Sequence, residues 1–260
     1  SEFNENDEKF INGEVKIASN FNDINLFQIK DIYFNYKNSP EIFSDLSFQV
    51  KTKDELVGIF GDSGSGKSTF VDLLSGLLIP KSGQIILDEK YDILSNEYKK
   101  NWQSLISYVP QKVTIFNESI YENITLKHYN ENADDMFFDQ VIKECNLKQI
   151  INEMANKEKT IIGAGAVGLS GGQVQRIGIA RAIYRQPKIL ILDEATNALD
   201  YQTEKVVMEA VSNLDKNITI IIIAHNLRAL KKCDKIFLLD KGELKEEGTF
   251  EKLVEKNNNF

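Results

Sequence analysis

The chain has 260 residues, 42% of them hydrophobic and 27% charged, enough for one large domain or two small ones, each with its own core. Its 31 Lys and Arg stand against 39 Asp and Glu, and the net charge of −8 gives no footprint for a phosphate backbone, so no nucleic acid is expected as a partner. The apolar runs at 189–192 and 218–224 fall far short of the roughly 20 residues that cross a bilayer.

Residues 1–25 are rich in Asn, Asp and Glu and read as a poorly ordered lead-in, with the domain proper over 26–260. Segments 26–36 and 42–50 are β-prone around a turn at Asn38-Ser39-Pro40. Leu46, Phe48 and Val50 alternate with Ser47 and Gln49, as in an antiparallel sheet with one exposed face. Residues 55–60 then run into Gly61-Asp62-Ser63-Gly64-Ser65-Gly66-Lys67-Ser68, after which Phe70, Leu73, Leu74, Leu77 and Leu78 recur at helical spacing up to Pro80 and Gly83.

Strand, glycine-rich loop and helix are the context that the phosphate-binding P-loop pattern requires. Backbone N–H groups of such a loop close on phosphate oxygens, the helix N-terminus adds its dipole, Lys67 reaches the terminal phosphates, and the Ser68 hydroxyl can ligand Mg²⁺. Thr69 is counted with the loop as a nucleotide-binding residue. A glycine-rich turn of purely structural purpose would explain neither Lys67 nor Ser68.

Over 112–165 strand character fades, and 133–145 and 147–154 read as helices with charged faces. They predict an inserted helical subdomain, reaching about residue 185 once the next helix is included. That helix opens at Leu169-Ser170-Gly171-Gly172-Gln173, a second glycine-rich turn and hence another ready-made anion site, with Val174, Ile177, Ala180 and Tyr184 as its packed face. Cys145 and Cys233 lack metal-like spacing and suit buried packing in a reduced protein.

The runs 189–192 and 218–223 show no alternation, as expected of parallel strands covered on both faces. The first delivers Asp193 and Glu194 to a strand's carboxyl end, where α/β sheets place ligands. Asp193 suits a Mg²⁺ shell and Glu194 suits orienting and polarising an attacking water. A pair of acids stabilised by a helix N-terminus is the structural alternative, and the P-loop upstream favours the catalytic one. The fold class expected is α/β: a P-loop core with a mainly parallel sheet, an N-terminal antiparallel β subdomain and the helical insertion.

Kinases, GTPases and motor ATPases share a P-loop and an acidic strand end. Residues 169–173, followed by Gln175-Arg176 and Ala180-Arg181-Ala182, resemble the signature sequence of ATP-binding-cassette (ABC) ATPases, which other P-loop families lack. The resemblance extends over 26–255 and implies ATP and Mg²⁺ as ligands. Tyr36 then looks like the aromatic residue that stacks on adenine, and Gln111 like the glutamine that contacts Mg²⁺ and the attacking water. His225 looks like the histidine that contacts the γ-phosphate, whereas His128, in a polar stretch, carries no such likeness.

The resemblance further implies a head-to-tail dimer, each ATP lying between the P-loop of one protomer and Ser170, Gly171, Gly172 and Gln173 of the other. Asp200 matches a residue that crosses that interface, while Asn197 stands where the family usually has Ser. Segments 116–124 and 195–200 resemble exporters more than importers, so the chain is expected to hydrolyse ATP at the cytoplasmic face of the inner membrane and to drive a transmembrane domain. A separate importer subunit is the alternative. A repair or ribosome-associated ATPase is less well matched, because neither a long coiled-coil insertion nor a second cassette is found in this sequence. One departure is Gly163-Ala164-Gly165-Ala166, where exporters usually carry an acid that meets the membrane domain.

Overall fold

The computed structural model describes residues 26–51, 56–129, 135–164, 168–195, 218–256 and the single positions 204, 205, 208 and 211. The expected lead-in over 1–25 and residues Asn197 and Asp200 therefore lie outside the described residues. In chain order come β1 (Leu26–Phe34), β2 (Phe43–Lys51), β3 (Leu56–Phe60), α1 (Lys67–Leu74), β4 (Ser82–Leu87), β5 (Tyr91–Asp92), α2 (Lys99–Leu105) and β6 (Ile106–Val109). There follow β7 (Glu118–Ser119), α3 (Ile120–Thr125), α4 (Met136–Glu144), α5 (Lys148–Glu153), β8 (Ile161–Ile162) and α6 (Gly171–Tyr184). The chain continues through β9 (Ile189–Asp193), β10 (Thr219–Ala224), β11 (Lys235–Asp240), β12 (Glu243–Gly248) and α7 (Phe250–Lys256).

Two sheets carry the molecule, as the α/β expectation requires. The first is antiparallel in the order β2-β1-β4-β5, with Phe27, Ile29 and Ile32 of β1 opposite Val50, Phe48 and Leu46 of β2. The alternation read in β2 is what buries Leu46, Phe48 and Val50 while leaving Ser47 and Gln49 outside. The second sheet runs β12-β11-β3-β10-β9-β6, parallel except for β12.

Its strands sort their side chains between two cores by the period of two. Val57, Ile59, Ile189, Ile191, Ile221 and Ile223 join the antiparallel sheet and α1 in one cluster. Leu56, Phe60, Leu190, Leu192, Ile220 and Ile222 join α3, α4, α5 and α6 in the other. A strand buried on both faces has no polar side to show, which is why these runs lacked alternation.

Three features differ from the sequence reading. The helix after the P-loop stops at Leu74 rather than running to Pro80, because Gly76 adopts φ 66° and closes a Schellman motif. In that motif Gly76 N–H donates to the Leu73 carbonyl at 3.0 Å and Leu77 N–H to the Asp72 carbonyl at 2.8 Å. Leu77 is thereby 67% exposed instead of packed. Gly83 does not end a helix but lies within β4.

Helix α6 is also enclosed more widely than its expected face. Ile177 and Ala180 are buried and Val174 and Tyr184 only partly so, while Gln175, Arg176, Ile179, Ala182 and Ile183 are buried as well. It is wedged between β6, α3 and α4. Arg181 donates from it to the carbonyls of Asn123 (2.7 Å) and Thr114 (3.0 Å), and Arg176 to that of Asn146 at 2.5 Å. The Asp135 carboxylate caps α4 and accepts from the hydroxyls of Tyr121 (3.0 Å) and Tyr184 (2.6 Å), tying α3 and α6 to that cap. Both cysteines are buried, and burial pushes each thiol up to about 12, so they pack rather than react.

Candidate functional site

The loop that leaves β3 turns into α1 through Gly66, which takes φ 105°. A Cβ there would approach the Phe43 ring to 2.8 Å, so the turn needs glycine for both conformation and space. The turn folds Lys67 back over its own loop, where Nζ donates to the carbonyls of Gly61 (2.6 Å) and Asp62 (2.8 Å). Burial lowers the pKa of this ammonium, and the nearby charges of Glu194, Asp193 and Asp62 oppose the fall.

Three more strand ends converge on the loop, because β3, β10, β9 and β6 are consecutive and parallel. β9 delivers Asp193 and Glu194, β6 leads to Gln111, and β10 to His225. Gln111 Nε2 donates to Glu194 Oε2 at 2.7 Å, and His225 Nδ1 lies 2.7 Å from Glu194 Oε1. Facing a carboxylate, that Nδ1 carries the proton. Glu194 itself has φ 48°, a left-handed backbone rarely taken by a non-glycine residue, fixed by its N–H donating to the Ile223 carbonyl at 3.0 Å. Burial raises the pKa of Asp193, and the Tyr108 hydroxyl, donating to its Oδ2 at 2.8 Å, works against the rise.

These groups enclose a cavity of about 410 Å³ lined by Ser63, Gly64, Gly66, Lys67, Ser68, Thr69, Gln111, Asp193 and Glu194, with Ile42 at its side. The donor chemistry suits Mg²⁺: a Ser68 hydroxyl, an Asp193 carboxylate and a Gln111 amide are hard oxygen ligands, and this ion takes one or two carboxylates beside phosphate oxygens. Gly61, Asp62 and Ser65 do not line the cavity: Gly61 and Ser65 are buried and Asp62 is exposed. Ser65 N–H donates to the Asp62 carbonyl at 3.1 Å, and the Ser65 carbonyl accepts from Gly242 N–H at 3.1 Å.

Tyr36 stands apart from the lining but within reach. It is 42% exposed, its ring edge meets Phe34, and its hydroxyl is 3.4 Å from Thr69 Oγ1. Ser170, Gly171, Gly172 and Gln173 are not brought to this cavity. They open α6, where Ser170 and Gln173 form a capping box: Gln173 N–H donates to Ser170 Oγ at 3.3 Å and Ser170 N–H to Gln173 Oε1 at 2.8 Å. Ser170 and Gly171 remain exposed at that helix start. Ala164, at the departure from the exporter pattern, is exposed in a turn after β8.

Two site residues escaped the sequence reading. Nothing in the sequence around Tyr108 singles it out, and only the pairing of β6 with β9 brings it to Asp193. Ile42 precedes β2 with nothing in its neighbourhood to mark it.

The model of the ABC transporter family matches residues 43–197. The leukotoxin translocation ATP-binding protein of Pasteurella haemolytica-like sp. (strain 5943B) is 39% identical over 231 residues, 88% of this chain and 32% of that protein. Its namesake in Bibersteinia trehalosi is 38% identical over the same shares. The chain thus spans about a third of the length of these curated relatives. Among solved structures, a bacterial Atm1-family ABC exporter with ATP bound is similar at a TM-score of 0.82 and 31% identity, over 95% of this chain and 44% of that one.

Proposed function

Because this chain belongs to the ABC transporter family, we propose that it is the ATP-binding and ATP-hydrolysing domain that powers an exporter, working through a transmembrane domain at the cytoplasmic face of a membrane. The observation that carries the reading is the single cavity holding Lys67, Ser68, Gln111, Asp193 and Glu194 together at the carboxyl ends of parallel strands. The exporter direction is supported by the relatives' names, which speak of leukotoxin translocation and of an Atm1-family exporter. Transmembrane helices encoded upstream in the same reading frame are expected. A frame that opens just before Leu26 would favour an importer subunit instead.

In this reading the loop N–H groups and Lys67 hold the β- and γ-phosphates, and a bound Mg²⁺, held by Ser68 and Asp193 with Gln111, would offset the charge that develops on the departing phosphoryl group. Glu194 orients the attacking water and takes its proton. Gln111 donates to one of its oxygens and His225 Nδ1 lies against the other, contacts that orient the carboxylate. The nucleotide's base extends toward Tyr36. Tyr36→Ala is expected to raise the KM for ATP roughly tenfold with little change in kcat, since stacking far from the reacting bond is worth about 1–3 kcal/mol. Unchanged nucleotide affinity by titration would remove Tyr36 from the nucleotide site.

Ser170 and Gly171 sit exposed, with Gly172 half-buried, at a helix start away from the cavity, which fits a role in closing the site of a second copy. Lys67→Ala and Ser170→Arg would each spoil both sites of its own homodimer. Mixing them creates one doubly damaged site and one intact site, so ATPase activity of the mixture should exceed that of either component at equal total protein. No gain in a mixture that cross-linking proves to contain heterodimers would oppose action of the signature across the interface by independently firing sites.

A further inference from the structure

We propose that Tyr108 is a positioning residue for Asp193: its hydroxyl engages one carboxylate oxygen and fixes the rotation of the group, leaving the other oxygen for the metal's shell. The inference rests on the reading of Asp193 as a residue that serves a Mg²⁺-nucleotide. Tyr108 of β6 lies opposite Ile191 of β9 in a parallel pair, so its side chain shares the sheet face of Ile191 and, two residues on, of Asp193. Two residues of strand are roughly 6.6 Å, a span that a tyrosine ring bridges and a serine or threonine does not. The bond it makes is 2.8 Å long, an ordinary length for a hydroxyl donor.

The surroundings explain why such a donor is needed. The charged groups acting on Asp193 are Glu194, Lys67 and Asp72, two acids against one base, so electrostatics alone do not pin the carboxylate. Two of the three Lys67 donors are already taken by the carbonyls of Gly61 and Asp62. Burial of the Asp193 carboxylate raises the cost of leaving it without a donor, and the Tyr108 hydroxyl supplies one. Hydrogen-bond partners behind a metal-binding carboxylate commonly change metal affinity 10- to 100-fold when removed.

The test is a Mg²⁺ titration of a fluorescent ATP analogue bound to the parent chain, Tyr108→Phe, Asp193→Asn and the double variant. Phenylalanine keeps the ring and removes only the hydroxyl. Tyr108→Phe should raise the half-saturating Mg²⁺ about tenfold while leaving nucleotide affinity and melting temperature in EDTA unchanged, and should add nothing to Asp193→Asn. A half-saturating Mg²⁺ within twofold of the parent, an equal loss of affinity in EDTA, or a full additional effect on the Asp193→Asn background would each overturn it. If nucleotide binding by the parent chain is itself indifferent to Mg²⁺, the reading of Asp193 fails first and this inference with it. If the parent responds to Mg²⁺ and Tyr108→Phe matches it, the inference alone fails.

Discussion

Glu194→Gln is expected to bind Mg-ATP about as tightly as the parent chain and to turn it over roughly 10²- to 10⁴-fold more slowly, the span by which a positioned base accelerates proton transfer. The substitution is nearly isosteric, and the local network can absorb it. The new amide can keep its oxygen toward Gln111 Nε2 and turn its NH₂ toward His225, whose Nδ1 becomes an acceptor once the proton moves to Nε2. What is lost is the group that can take a proton from water. If two chains close around the nucleotide, ATP that is bound and not consumed acts as a linker between them. Light scattering should then find a dimer with ATP and a monomer without it. Turnover within fivefold of the parent would assign the base to another residue. A monomer at saturating Mg-ATP, with bound nucleotide verified, would count against the shared site in this chain.

The parts of this site that could be read from sequence are those whose chemistry is local. The P-loop is one continuous stretch in which glycine, lysine and serine at fixed spacing already dictate a turn, a donor and a hydroxyl. Asp193 and Glu194 were legible because an apolar run without alternation announces a buried strand, and acids at its end are conspicuous. Gln111 and His225 were identified only through the family resemblance, since a loop glutamine and a lone histidine say little by themselves. Their meeting at Glu194 depends on strand order, β6 next to β9 and β9 next to β10, which no local pattern encodes.

What was missed follows the same logic. β11, with four apolar residues between Lys235 and Asp240, lies between β3 and β12, and neither it nor β12, whose Glu-Leu-Lys-Glu-Glu-Gly carries almost no apolar side, was assigned. α2 was hidden in a polar stretch. It is held by Trp102, fully buried with its indole N–H donating to the Leu74 carbonyl at 2.6 Å, and that single aromatic was the available signal. The end of α1 was misplaced because Leu77 and Leu78 continue the helical spacing, whereas Gly76 in a left-handed conformation overrides it.

Lys67→Ala should abolish measurable ATPase activity, with turnover down about 10²- to 10³-fold or more and nucleotide binding strongly weakened. The ammonium has three donors, of which two hold Gly61 and Asp62 of its own loop, leaving the third for a phosphate oxygen. Truncation therefore does two things at once. It removes the charge-assisted bond to the terminal phosphates, and it withdraws the donors that hold those two loop carbonyls. The second effect could loosen the loop even without nucleotide, and the melting temperature in the absence of ATP, read beside turnover, separates the two. If the phosphate contact is what matters, Lys67→Ala loses turnover while its melting temperature in the absence of ATP stays near the parent's. Were Lys67→Ala to hydrolyse ATP within threefold of the parent, Lys67 would not be a phosphate ligand, and the assignment of the cavity to nucleotide would lose its strongest support.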